Sequence, residues 1–369
     1  MKCTHLLITF LFLISCNNSR PVDTTNVPQA SSVPRVKNVI LMVGDGMGIA
    51  QITAALYANG NRLALEKMQQ VGLIKTHSAD KLITDSAAGA TAFSTGRKTF
   101  NGAIGLDKDS LPQETVLETC KKNGMSTGIV VTSSITHATP AAFYAHVLSR
   151  KLMDDIALNF VKNPVVDFFV GGGRKYFTQR QDNINLLDSL KAIGYKFYPL
   201  DSLHAVSTLK AGVFTAEEEP ASLLRGRTPY LPDAVSTALN VLSKQDKGFF
   251  LLVEGSQIDW GGHAEDSDYI IEEILEFNRA VEEVLRFAEK DKHTLVVVTA
   301  DHETGGYTIT DGTLDGSSVK GEFVNNYHSA EMVPVFAFGP RAESFAGIYE
   351  NTAIYDKLMA ALGLQRSAL

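Results

Sequence analysis

Four stretches of this chain hold carboxylates and imidazoles of the kind that bind metal ions. "VEGSQIDWGGH" contains Glu254, Asp259 and His263. "TADHETGG" contains Asp301 and His302, "YHSAEMVPVFAFGP" contains His328, and Asp45 sits inside "VGDGMG". Asp, Glu and neutral His are ligands of Zn²⁺ and Mg²⁺. Taken singly, each has a plain explanation as a polar contact within a loop. Gathered at one edge of a sheet, they make a polynuclear metal site. A fifth stretch, "TDSAAGATAFSTG" from Thr84 to Gly96, surrounds Ser86 with alanine, glycine and threonine. An amphipathic helix would carry large apolar residues on one face and charges on the other. Two readings stand for it: a nucleophile at the start of a tightly packed helix, or a buried Ala-rich helix capped by Asp and Ser.

The elements that must hold these residues follow a strand–turn–helix rhythm. "NVILMV" (38–43), "GIVVT" (128–132), "VVDFFV" (165–170), "GFFLLV" (248–253), "TLVVVT" (294–299) and "VPVFAF" (333–338) are continuous apolar runs. Such runs suit strands buried on both faces, as in a parallel sheet. Helical patterns fall at 113–123, 141–160, 232–243 and 268–290. The alternation predicts a three-layer α/β/α sandwich with a large, mostly parallel central sheet. In such sheets sites collect at the carboxyl ends of strands, where Asp45, Glu254, Asp301 and His302 fall. Residues 174–228 are less regular and suggest an excursion from the sheet. "GGGRKYF" at Gly171 lacks what a phosphate-binding P-loop requires and is expected to be a turn. In the glycines around Asp45, the carboxylate would repel a pyrophosphate. His77, His146, His204 and His293 are expected to be surface or structural residues.

The chain has 369 residues, 44% hydrophobic and 20% charged, an ordinary globular composition. With a net charge of −7 and no basic cluster, it does not suit nucleic acid. Residues 1–16 ("MKCTHLLITFLFLISC") pair Lys2 with an apolar run too short to span a bilayer, as in a signal peptide. "LISC" resembles the lipobox of bacterial lipoproteins, which implies a lipid on Cys16 and residence in the periplasm or cell envelope. The polar residues 17–35 suit a flexible tether, leaving 36–369 as a single catalytic domain. With Cys3 lost and Cys16 lipidated, Cys120 would have no partner for a disulfide.

"VILMVGDGMG", "TDSAAGATAFSTGRKTFNGAIG", "THATPAAFYAHVLSR", "VEGSQIDWGGHA", "VTADHETGG" and "HSAEMVPVFAFGP" resemble, in order, the motifs of the alkaline phosphatases. The resemblance runs from about Val39 to Leu362. It implies a phosphate-monoester hydrolase with Ser86 as nucleophile, a phosphoserine intermediate, and two Zn²⁺ and one Mg²⁺ per chain. It matches Asp259, His263 and His328 to one zinc, and Asp45, Asp301 and His302 to the other. Asp45 also reaches toward the magnesium, with Thr139 and Glu254, and Arg150 matches the arginine that clamps phosphate. Two metals about 4 Å apart can stabilise both the attacking and the leaving oxygen of an in-line displacement.

His137 stands where some members have aspartate, and Trp260 where some have lysine; both would border the magnesium and the phosphate. The chain is short for the family, without its large insertions, and a homodimer stays open. Two other readings compete. One is a phosphodiesterase or sulfatase on the same scaffold, against which Thr139, Glu254 and Arg150 speak. The other is a lipid-anchored phosphate- or metal-binding protein without turnover, against which Ser86 speaks.

Overall fold

A computed structural model describes residues 35–366. The segments expected to be a signal peptide and a tether, with Cys16, fall in residues 1–34, outside the described residues. Fourteen strands are present among them: β1 (Asn38–Gly44), β2 (Gln70–Lys75), β3 (Ser126–Ser134), β4 (Phe168–Gly172), β5 (Lys196–Phe197), β6 (Ala211–Phe214), β7 (Phe249–Gly255), β8 (Thr294–Thr299), β9 (Glu303–Thr304), β10 (Thr308–Gly312), β11 (Val319–Glu322), β12 (His328–Ser329), β13 (Val333–Phe338) and β14 (Gly347–Glu350). The α-helices are α1 (Ile49–Ala58), α2 (Ser86–Thr95), α3 (Val116–Lys122), α4 (Ala138–Ala141), α5 (Met153–Lys162), α6 (Lys175–Thr178), α7 (Leu186–Ala192), α8 (Leu231–Leu242), α9 (Gln257–His263), α10 (Ser267–Asp291) and α11 (Ala353–Leu362).

Ten strands form one sheet in the order β14-β2-β13-β8-β1-β7-β3-β4-β6-β5. The central strands β1, β3, β7 and β8 are buried at every residue, which is why they carry no alternation of polar and apolar side chains. Register then sets the site. Val43 at the end of β1 lies level with Glu254 of β7 and Thr299 of β8, and Val131 of β3 is also level with Glu254. Asp45, Glu254 and Asp301 therefore emerge on one rim. All pairings in this sheet are parallel except those of β13, which runs antiparallel to β8 and β2. The reversed strand starts at that same rim, so His328, just before it, arrives beside residues that follow the other strands. The two-residue β12 pairs with β9, setting His328 opposite Thr304.

Two expectations are corrected. The pattern over 141–160 is two helices, α4 and α5, with an irregular link. The link is held by main-chain bonds between Ile104 and Val147 and by Arg150 N donating to Gly102 O at 2.7 Å. Those bonds outweigh helix propensity and place the Arg150 side chain. Residues 174–228 are no excursion: β6 and β5 extend the sheet beyond β4, and their few residues are too short to show a strand pattern. "GGGRKYF" is the expected turn, passing from β4 into α6.

α2 explains its own composition. All ten residues are buried. Asp85 caps it by accepting from Ala88 N at 3.0 Å, and Gly96 ends it at φ 67°. A Cβ on Gly89 would lie 3.0 Å from Asp301 Cβ, so the helix backbone rests directly against the end of β8. Gly46 is similar: it has φ +74°, and a Cβ there would stand 2.7 Å from Asp259 Cα. Small residues are the condition for bringing Ser86, Asp45, Asp259 and Asp301 together. Gly89→Ala should push Asp301 aside and lower kcat/KM by about tenfold or more, while far-UV circular dichroism stays unchanged. Parental kinetics in that variant would show that the contact does not set the site.

Candidate active site

Ser86 is the first residue of α2, where the helix presents its positive end. Its hydroxyl lies 3.4 Å from Asp45 Oδ1 and 3.3 Å from His302 Nε2. His302 Nε2 is in turn 3.4 Å from Asp45 Oδ1 and 3.2 Å from Asp301 Oδ2. Asp45, Asp301 and His302 thus form one tight group, their ligand atoms all within 4.8 Å of one another.

A second group lies beside it. Asp259, His302 and His328 bring ligand atoms within the same distance. His263 borders the group, with Nε2 3.3 Å from both Asp259 Oδ2 and His328 Nε2. The far nitrogens of the rings are all engaged. His328 Nδ1 is 2.8 Å from Thr84 O, His263 Nδ1 is 2.8 Å from Asn326 O, and His302 Nδ1 is 3.3 Å from Thr304 Oγ1. A carbonyl partner requires N–H at Nδ1, which leaves the Nε2 lone pair of His328 and His263 turned inward, the usual arrangement behind a metal-ligating imidazole.

The third group is Asp45, His137 and Glu254. Thr139, buried on α4, lies near enough to help hold down the pKa of Glu254, although its Oγ makes no hydrogen bond of normal geometry. Ser256 donates to Glu254 Oε2 at 2.5 Å, and Ser133 at 3.4 Å, fixing that carboxylate. Trp260 meets His137 edge-on at 5.9 Å. Arg150 donates from one guanidinium nitrogen to Asp85 Oδ2 at 3.2 Å, and its other terminal nitrogen is 3.1 Å from His137 Nε2. Asp85 also accepts from Gly102 N. One carboxylate therefore caps the helix that opens with Ser86 and aims the arginine.

Electrostatics point to cations. Burial drives Asp45 well above the usual carboxylate range, with Asp301, Asp259 and Glu254 adding to it. Burial, then Asp259, takes Asp301 to about 7. Burial takes Glu254 to about 8 against the Ser256 hydrogen bond. Asp259 differs: burial works upward, but without a metal His263, itself raised by Asp259, is protonated at Nε2 as well and donates to Asp259, bringing it below the usual range. A cation would displace that proton. Burial lowers His302 and His328, and takes His137 to about 3 with help from Arg150. These three rings stay neutral and able to ligate. Asp45 Oδ2, Asp301 Oδ2, Glu254 Oε1, Thr139 Oγ1 and His137 Nδ1 are buried without a hydrogen-bond partner. Unpartnered oxygen lone pairs among unneutralised carboxylates fit divalent cations.

A family model described as alkaline phosphatase matches residues 36–324, more than half of the chain. The chain belongs to the alkaline phosphatase family. It is 35% identical to alkaline phosphatase 3 of Bacillus subtilis, with 97% of this chain and 96% of that protein aligned. That alignment runs over 444 positions, more than the 369 residues here, so the relative carries insertions that this chain lacks. Among solved structures, alkaline phosphatase from the Antarctic bacterium TAB5 has a TM-score of 0.85 and 41% identity, covering 90% of this chain and all of that one (100%). The cold-active enzyme of Shewanella sp. has a TM-score of 0.81 and 32% identity over 88% of this chain and 99% of that one. Variants of the TAB5 enzyme with a histidine replaced by Glu or Asp are described with Mg bound in the M3 site. Family membership makes this chain a metal-binding hydrolase of phosphate monoesters, and the diesterase, sulfatase and binding-protein readings give way to it.

The structure brings together Asp45, Ser86, His137, Thr139, Arg150, Glu254, Asp259, Trp260, His263, Asp301, His302 and His328. Beyond the site, His146 bridges Glu118 and Gly105 O, and Cys120 is a buried free thiol. Sequence reasoning missed the link from Asp85 to Arg150, the hydroxyls of Ser133, Ser256 and Thr304, and Tyr327. Tyr327 adjoins His328, and Asp85, Ser256 and Thr304 lie inside stretches already singled out, but residue type alone did not mark them.

The raised carboxylates have a testable consequence for the metal-free protein. Asp301 at about 7 and Glu254 at about 8 lie above the value near 4 of an unfolded chain. Below about pH 6.5 the lowered imidazoles of His137, His302 and His328 work the other way. From about pH 6.5 to 8 the carboxylates govern: folded protein binds more protons than unfolded, and stability is lost as pH rises. In chelator, the Tm should fall from about pH 6.5 to 8. Zinc and magnesium should flatten the trend, because ionised carboxylates become ligands. A chelated protein melting higher at pH 8 than at pH 6.5 would contradict the account.

Proposed function

We propose that Ser86 attacks the phosphorus of a phosphate monoester, and that water then hydrolyses the resulting phosphoserine. The observation that carries this reading is the Ser86 hydroxyl, buried at a helix start and facing Asp45 and His302 amid unpartnered ligand atoms. We assign Asp259, His263 and His328 to one zinc, Asp45, Asp301 and His302 to a second, and Asp45, Thr139 and Glu254 to magnesium. His137, within ligand distance of Asp45 and Glu254, borders the magnesium and tunes which cation it holds. Bound there, divalent cations supply Lewis-acid charge that favours an ionised oxygen nucleophile and a departing oxyanion. The α2 terminus adds its dipole at Ser86 Oγ. Asp85 and His137 hold the Arg150 guanidinium beside Ser86, where its planar fork suits two phosphoryl oxygens.

Further along the chain we place the protein in the periplasm or cell envelope, exported by residues 1–16 and lipidated on Cys16. The mass of the mature N-terminus tests this. A homodimer is compatible with the reading, and the sedimentation coefficient tests that.

Acid quench with labelled substrate should trap phosphate on Ser86, and Ser86→Ala should lose both the label and most of kcat. Unchanged kinetics would mean that the nucleophile is another group. Arg150→Ser removes a charge-assisted contact of about 1.5–3 kcal/mol. It should slow an aryl monoester by about ten- to a hundredfold and barely affect the matching methyl diester, which has one oxygen fewer for the fork. Equal slowing of both esters would deny Arg150 that role.

A further inference from the structure

His328 lies between two rings. His302 stacks on it at 3.6 Å and 15°, and Tyr327 stacks on it at 4.4 Å and 3°. Two rings cannot share one face at those spacings, so Tyr327 covers the face turned away from His302. Tyr327 also meets His263 at 6.0 Å. It is 48% exposed, while His328 and His302 beneath it are buried. About half of its surface is therefore free to meet a ligand at the edge of the site. Its backbone is fixed: Tyr327 N donates to Asn325 Oδ1 at 2.7 Å, and Tyr327 O accepts from Gly305 N at 2.7 Å.

An in-line displacement sends the leaving group away from the nucleophile. Ser86 sits against Asp45 and His302. Next to His302 stands the group of Asp259, His263 and His328, and its two imidazoles are the rings that Tyr327 packs against. We infer that Tyr327 is a specificity-determining residue, a rigid aromatic surface that receives planar aromatic leaving groups, so that the enzyme favours aryl and nucleoside monoesters over small alkyl ones. This rests on the reading of Ser86 as nucleophile. A flat leaving group gains ring contact and covers exposed apolar surface; a methyl or glyceryl group gains neither.

The test compares phenylphosphonate with methylphosphonate as competitive inhibitors of the metal-loaded enzyme. Both carry the dianionic head group, and neither can be hydrolysed at its P–C bond. In the parent, phenylphosphonate should bind about three- to tenfold more tightly, the size of one aromatic contact. Tyr327→Ala should reduce that preference to about onefold, and Tyr327→Phe should keep it. If Tyr327→Ala does not fold, Tyr327→Leu replaces it, with an apolar but non-aromatic side chain. An unchanged preference in the truncated variant overturns the inference. So does equal weakening of both phosphonates, which would show that Tyr327 only supports His328. If the parent is inhibited by neither phosphonate and cleaves no monoester, the underlying functional reading has failed instead.

Discussion

Burying Asp45, Asp301 and Glu254 at one strand rim is the constraint on which the rest of this molecule depends. Charged carboxylates removed from water are costly unless they are paired. Arg150 brings a positive charge toward them, and it is engaged by Asp85 and His137. The balance is left to ions from solution. That requirement explains the neutral imidazoles, the hydroxyls of Ser133 and Ser256 on Glu254, and the carbonyls behind His263 and His328. Each of these orients a ligand atom without adding another net charge.

The scaffold meets the constraint by registry and by close approach. Parallel strands with aligned ends put acids from β1, β7 and β8 at one level, and an antiparallel β13 brings in His328 from the far end of the chain. Close approach is a matter of backbone rather than side chains. Gly89 lets α2 rest on Asp301, and Gly46 lets the turn after β1 pass beneath Asp259. Asp85 couples the two halves of substrate handling, because the residue that caps α2 also fixes Arg150.

Much of this was legible in the sequence. Strands buried on both faces announce themselves as unbroken apolar runs, and acids that follow them fall at the carboxyl ends by topology alone. Ordered motifs did the rest for Ser86, Thr139, Arg150 and His328. What escaped has a physical reason. The link between α4 and α5 reads as helix from its apolar spacing, but its main chain is bonded to residues 102–104, a long-range contact that local pattern cannot show. β5 and β6 are too short to display a period. Tyr327 carries no motif, and its importance comes from stacking geometry that exists only once β12 has paired with β9.

The reversed β13 also sets a schedule for assembly. Asp45 and Ser86 are made early in synthesis, whereas His328 comes near the end, immediately before the strand whose pairing with β8 locks it in place. A nascent chain that has produced Ser86 still lacks His328, and the contacts that position His328 span most of the sequence. Such long-range pairing is slow to form. Completion of the group of Asp259, His302 and His328 therefore belongs to the finished chain. Ions bound to the native form alone draw the folding equilibrium toward it in proportion to the logarithm of their free concentration.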